Sequence, residues 1–316
     1  MTLNTDVERL VRATSSEEAK HALTRSLSRE EAEYVLRNCV APELPYFAEM
    51  AGERTVEPLL ENRKFKRKRS VVVRSWIDAL TEGGEEIGLG QVAEALASLA
   101  ERGYVTQEET DRIAGMLCKP QNTTRWMRAR TAIESRIGRF PFTRRQLLAI
   151  VERRQGVFTE TAAYEIATHP KADAKVWHAL LGTGFMNLRA LSQAPKARRD
   201  PVVRERLMKE AWDSTILAGL CADARGSKFR ELWIELLELD EMRALEILKT
   251  ASPDQLAEIP RAVLQPLLMS PQQEVRLAVI AVIGQTKAEK NSDETPVVLR
   301  RRQGWFGRTS TSDRSR

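Results

Sequence analysis

Apolar residues recur three and four apart along most of this chain, separated by polar stretches that carry helix-start punctuation. Val7, Leu10 and Val11 have that spacing, as do Ala32, Val35, Leu36 and Val40. Further along, Val92, Leu96 and Leu99 repeat it, then Ile113, Met116 and Leu117. The pattern predicts several short helices over residues 5–62, then helices near Gln91–Arg102, Thr106–Leu117 and Thr123–Ile137. Val71, Val72 and Val73 in succession hint at a strand. No partner strand is visible, and Trp76, Ile77 and Leu80 follow at helical intervals, so a buried helix is expected there.

The punctuation is a Ser or Thr followed three residues later by Glu or Gln. It occurs at Ser28–Glu31, Thr106–Glu109, Thr143–Gln146, Ser252–Gln255 and Ser270–Gln273. In such a box the hydroxyl accepts from an orphan N–H of the first turn, and the later side chain reaches back to the cap's own N–H. Pro253 and Pro271 are expected at the first helical position, where a missing N–H costs nothing. Gly103 stands where a helix C-terminal glycine belongs. Helices started and stopped this often predict a stacked helical array.

A repeat is clearest after Thr159. Ala167-Thr168-His169-Pro170 precedes Val176 and Leu180, and Leu191-Ser192-Gln193-Ala194-Pro195 precedes Val203 and Leu207. A third unit, Leu217-Ala218-Gly219-Leu220 with Asp223, precedes Phe229, Arg230 and Trp233. The last, Ser270-Pro271-Gln272-Gln273-Glu274-Val275-Arg276-Leu277-Ala278-Val279, repeats the Pro, Val-Arg and Leu-Ala order. Over residues 160–285 these units resemble the HEAT-like and variant leucine-rich helical repeats. The resemblance implies an all-α, right-handed α-solenoid of short antiparallel helices and says little about a ligand. Some variant leucine-rich repeat proteins carry a cysteine-rich iron–sulfur segment, and no such cluster is present here. The organisation read from the chain is an N-terminal helical region (1–155), HEAT-like repeats (156–286) and a disordered basic tail (287–316).

Composition changes this picture little. A charged content of 30% is somewhat high and suits an elongated array with much surface. No apolar run approaches the ~20 residues needed to span a bilayer, and no secretory signal is expected from residues 1–9. Cys39, Cys118 and Cys221 are odd in number and widely spaced, which argues against a disulfide framework or a metal cluster and makes the cytoplasm the expected compartment. Charge is blocky. Glu82 to Asp111 holds eight acids against Arg102 alone, and Lys119 to Arg154 holds ten bases against Glu134 and Glu152. Adjacent blocks of opposite sign suit neighbouring helices paired at the surface, or else a basic binding face.

Candidate chemistry is sparse. Of the imidazoles, His21, His169 and His178, neither His169 nor His178 has a paired acid or metal-ligand spacing nearby in sequence. No nucleophile elbow, P-loop or dinucleotide fingerprint occurs. No catalytic residue, cofactor or metal is therefore assigned, and the chain reads as non-enzymatic. Glu231, Glu235 and Glu238 read as a solvated stripe on one helix face. Helical-repeat DNA glycosylases show that such an architecture can host an enzyme, but their motif does not align onto Trp126, Trp177, Trp212 or Trp233, which read as core.

Two features invite a binding role. The run Arg63, Lys64, Phe65, Lys66, Arg67, Lys68, Arg69 offers six cations for phosphate or other anions, with Phe65 placed to stack on a base. Its bland alternative is a solvated connection between Leu60 and the helix at Val71. Residues 125–154, with Arg125, Arg128, Arg136, Arg139, Arg144, Arg145, Arg153 and Arg154, would extend one basic face. The tail holds Arg300, Arg301, Arg302, Trp305 and Phe306, a candidate docking motif for a protein groove or an anionic membrane surface. The reading is a protein–protein interaction scaffold, with nucleic-acid binding through 63–69 and 125–154 as the alternative.

Overall fold

The computed structural model describes residues 5–22, 26–82, 88–119, 124–153, 158–182, 184–239 and 241–284. Among these residues every regular element is helical and no strand occurs, as the apolar spacing predicts. The chain divides into two compact units, Met1–Leu207 and Met208–Arg316.

The first unit opens with α1 (Thr5–Arg12), α2 (Ser16–His21), α3 (Arg29–Asn38), α4 (Pro45–Glu53) and α5 (Glu57–Glu61). The long α6 (Arg63–Glu82) follows, then α7 (Leu89–Glu101), α8 (Gln107–Cys118), α9 (Thr124–Glu134) and α10 (Arg144–Arg153). α11 (Glu160–Thr168), α12 (Ala174–Leu181) and α13 (Phe185–Gln193) complete it, and the division falls inside α14 (Pro201–Lys209). Ser28 and Thr106 cap α3 and α8 with reciprocal boxes to Glu31 and Glu109. Thr143 and Gln146 exchange the same two bonds at the start of α10, at 2.7 and 3.3 Å. Gly103 adopts φ 74° and closes α7, with its N–H on Ala100 O and the Tyr104 N–H on Leu99 O. The three valines lie within α6, where Val72 and Val73 are buried and Val71 is exposed.

From α6 onward each helix packs on the next but one: α6 on α8, α7 on α9, α8 on α10, α9 on α11, α10 on α12 and α11 on α13. Over α6–α13 the even-numbered helices thus form one row and the odd-numbered helices another. Packing is continuous across residue 155. The tightest approach is α4 against α7, where a methyl added at Gly52 would lie 1.9 Å from the Gln91 carbonyl oxygen. Ala93, Ala95, Ala97 and Ala100 keep α7 slim enough to be buried on several sides.

The second unit contains α15 (Ser214–Ala222), α16 (Ser227–Leu239), α17 (Glu241–Thr250), α18 (Pro253–Ala257) and α19 (Arg261–Leu264), and residues 273–284 are helical. α17 packs on both α15 and α16. Ser252 and Gln255 form the expected box at α18, and Gln255 Nε2 also donates to the Cys221 and Ala224 carbonyls at 2.9 and 3.0 Å. The box expected at Ser270 does not form in that register. The final helix starts at 273, two residues beyond Pro271, while Ser270 Oγ donates to Glu241 and accepts from the Gln272 N–H. A tertiary acceptor takes the hydroxyl proton there, while the oxygen still accepts a backbone N–H.

The tryptophans need one correction. Trp126 and Trp233 are buried and Trp177 is half-buried, but Trp212 is 60% exposed, its Nε1 donating to Glu210 at 2.8 Å. Asp213 beside it caps α15.

Candidate anion-binding site on a broken helix

The basic run is helical rather than a connection. Asn62, 2% exposed, makes this possible: its Oδ1 accepts from the N–H groups of Lys64 and Phe65 at 2.8 and 3.2 Å. Its Nδ2 donates at 3.0 Å to the carbonyls of Leu36 and Cys39, which lie at the end of α3. One amide therefore caps α6 and seats it on α3. Farther along, Trp76 Nε1 donates to Pro42 O at 3.1 Å and Ser75 Oγ to Glu43 O at 2.9 Å. α6 is thus anchored on both sides of a break in its geometry. Lys68 leaves helical geometry, with φ −123° and ψ 25°.

The composition of the run works against an unbroken helix. Like charges at i,i+3 and i,i+4 repel, as in Arg63 with Lys66 and Arg67 and Lys64 with Arg67 and Lys68. Cations in a first turn also oppose the helix macrodipole. Arg63, Lys64, Lys66, Arg67 and Lys68 are exposed and Arg69 is half-buried. Among the described residues none of the six side chains has an ion-pair or hydrogen-bond partner.

Around the break lies a shallow concavity of about 420 Å³ bordered by Lys66, Arg67, Lys68, Arg69, Ser70 and Tyr104. Phe65 is not available to stack on a base, contrary to expectation. It is 1% exposed and packs at a ring distance of 6.1 Å against Tyr104. Alternation decides this: Phe65 faces inward because it is the run's only apolar residue, and it carries α6 onto the core.

The neighbouring carboxylates are occupied. Glu61 pairs with Arg37 at 2.8 Å, Glu108 with Arg74 at 2.7 Å and Glu57 with Arg102. The second basic stretch is likewise largely consumed. Arg136 bonds Glu94 at 2.8 Å, Arg139 reaches Glu94 and Glu101, Arg144 bonds Asp173 at 3.0 Å, and Arg125 donates to Ala79 O. Partial burial pushes the Glu94 carboxyl up, but Arg136 and Arg139 outweigh it and hold it below the usual carboxylate range. The opposite charge blocks thus meet where Arg136 and Arg139 face Glu94 and Glu101. Arg128, Arg145 and Arg153 remain exposed, and Arg154 lies outside the described residues.

The histidines have structural partners. His169 accepts the Lys171 N–H on Nδ1 at 3.0 Å, so the Nε2 proton must point to Phe140 O, 2.9 Å away. Burial lowers its pKa. His178 does have a paired acid, unlike the expectation from sequence: Asp200 Oδ1 lies 2.9 Å from Nε2 while capping α14 through Val202 and Val203. Partial burial pushes the Asp200 carboxyl up, but the His178 bond and those N–H groups outweigh it and hold it low. Burial pushes the Cys39 and Cys221 thiols up to about 12 and about 11, leaving them un-ionised at neutral pH. Among the described residues no three metal-ligating side chains converge, and no helix is long and apolar enough to cross a membrane.

Asn62, Ser70 and Tyr104 are the site residues that sequence reasoning missed. Ser70 simply adjoins the run. Tyr104 reaches it through a tertiary contact that no local pattern encodes, whereas Asn62 occupies the helix N-cap, a position its residue type signals, and only its bonds to α3 are tertiary. Arg300, Arg301, Arg302, Trp305 and Phe306 lie outside the described residues. No protein-family model, curated protein or solved structure matches this chain.

Proposed function

We propose that the chain is a non-enzymatic protein-interaction scaffold of the cytoplasm, a right-handed α-solenoid of HEAT-like repeats that grips partners through the basic segment of α6. The observation that carries this reading is the set of six cations on Arg63–Arg69 without an intramolecular anionic partner among the described residues. Next-but-one packing of α6 to α13 supports the solenoid, because each helix then buries its stripe against row neighbours and leaves an extended surface. Three free cysteines suit a reducing compartment. The nucleic-acid alternative loses support from the paired Arg136, Arg139 and Arg144.

The test is a pull-down from native host extract with the intact chain and with a Lys66→Gln/Arg67→Gln/Lys68→Gln/Arg69→Gln variant, with and without nuclease. Proteins that survive nuclease and are lost in the variant support the scaffold. Nucleic acid recovered in proportion to the chain, with partners vanishing on digestion, overturns it in favour of the alternative. Solution scattering tests the solenoid, for which an elongated profile is expected.

A further inference from the structure

Resting on that reading of α6 as a partner anchor, we propose that the concavity at the Lys68 break binds the phosphoryl group of a phosphorylated peptide segment. The first ground is an electrostatic deficit. Six cations sit in the first two turns of a helix, where the macrodipole already favours anions, and each repels its i+3 and i+4 neighbours. No carboxylate of the described chain answers them, because Glu57, Glu61 and Glu108 are held by Arg102, Arg37 and Arg74. Such an arrangement breaks the local rules for a stable helix start, which is how functional surfaces commonly declare themselves.

The second ground is shape. Lys66, Arg67, Lys68 and Arg69 converge on one concavity of about 420 Å³, and two hydroxyls, Ser70 and Tyr104, stand at its edge. Guanidinium forks match the paired oxygens of a phosphoryl group, and ammonium groups add charge without fixed geometry. A phosphoryl group brings about −1.5 to −2 charges at neutral pH against one for a carboxylate, so it relieves more of the repulsion per group bound. Val71, 56% exposed, gives the adjoining peptide residue an apolar contact.

The third ground is compactness. Seven helical residues span roughly 10 Å, the reach of one or two phosphates. Glu61 adjoins the run and pairs with Arg37, Glu57 and Glu108 pair with Arg102 and Arg74, and Arg136, Arg139 and Arg144 of the other basic stretch are bound to Glu94, Glu101 and Asp173. A long polyphosphate backbone or a planar anionic membrane would meet those carboxylates. A single modified side chain would not.

The experiment titrates the full chain against two fluorescent peptides of one sequence, a serine flanked by aspartates and glutamates, with and without a phosphate on that serine. Wild type is expected to bind the phosphorylated peptide about tenfold or more tightly than its parent at pH 7.5. That preference should shrink at pH 5.5, because the second phosphate ionisation lies near 6. Inorganic phosphate should compete better than chloride at equal ionic strength. Arg67→Gln/Arg69→Gln should lose the preference, and Arg67→Lys/Arg69→Lys should keep part of it, with circular dichroism checking that both fold. Equal affinity for the two peptides overturns the phosphoryl assignment and leaves the basic anchor standing. Binding of neither overturns both. Tighter binding to a single-stranded oligonucleotide or to phosphatidylserine vesicles than to the phosphopeptide assigns the patch elsewhere and overturns the proposal.

Discussion

Asn62 does more for the position of the basic run than any cation in it. Its carbonyl oxygen caps α6 and its amide satisfies two carbonyls at the end of α3. Asn62→Ala removes a cap and leaves buried carbonyls unpaired, a loss of about 2–4 kcal/mol in urea unfolding. Asn62→Ser keeps a capping oxygen without adding charge but is too short to reach both α3 carbonyls, so it should also destabilise; a neutral result would show that the α3 bonds contribute nothing. His169 gives a pH signature. Both of its nitrogens are used in the neutral form, and burial holds its folded pKa below the ordinary 6.5. The unfolded state therefore takes up the proton first on acidification. Stability from this residue is complete above about pH 6.5 and declines below it towards the folded value, at up to about 1.4 kcal/mol per pH unit. The stability gap between wild type and His169→Gln should narrow from pH 7 to pH 5, and a constant gap would contradict the assignment.

At the scale of elements, α4 and α7 meet so closely that only a glycine fits. Gly52→Ala puts a methyl 1.9 Å from the Gln91 carbonyl oxygen, a backbone atom that no rotamer change can move aside. The helices must separate, and thermal unfolding should register a loss of about 1–3 kcal/mol. α6 presents the opposite case. Its basic segment is locally unfavourable, so Lys66→Gln/Lys68→Gln should leave stability unchanged or raise it by a few tenths of a kcal/mol. A marked loss would mean that those side chains have structural roles. Helix starts were largely legible from sequence, since Ser28, Thr106, Thr143 and Ser252 all cap where their spacing places them. Ser270 was not: its oxygen accepts from the Gln272 N–H, and the helix begins only at 273.

For the whole molecule, a net charge of +6 conceals the balance of its parts. Paired arginines such as Arg136, Arg139 and Arg144 contribute little to specific-ion effects, so the unpaired segment of α6 should contribute more. Sodium sulfate is expected to raise the melting temperature more in wild type than in the Lys66→Gln/Arg67→Gln/Lys68→Gln/Arg69→Gln variant at matched ionic strength. An equal rise would reduce the effect to general salting-out.

The chain by itself determined its helical class, most of its helix starts, the glycine end of α7 and the presence of six clustered cations. These follow from interactions within four residues, where hydrogen-bond geometry and apolar spacing act alone. Tertiary structure decided which of those charges stay free. Arg136, Arg139 and Arg144 look as available in sequence as Arg67, yet they lie opposite Glu94, Glu101 and Asp173 once the helices stack. It also turned Phe65 inward, left Trp212 outside, and gave His178 an acid 22 residues away. Electrostatic pairing and burial depend on what the fold brings within a few ångströms, and separation along the chain carries no record of that distance.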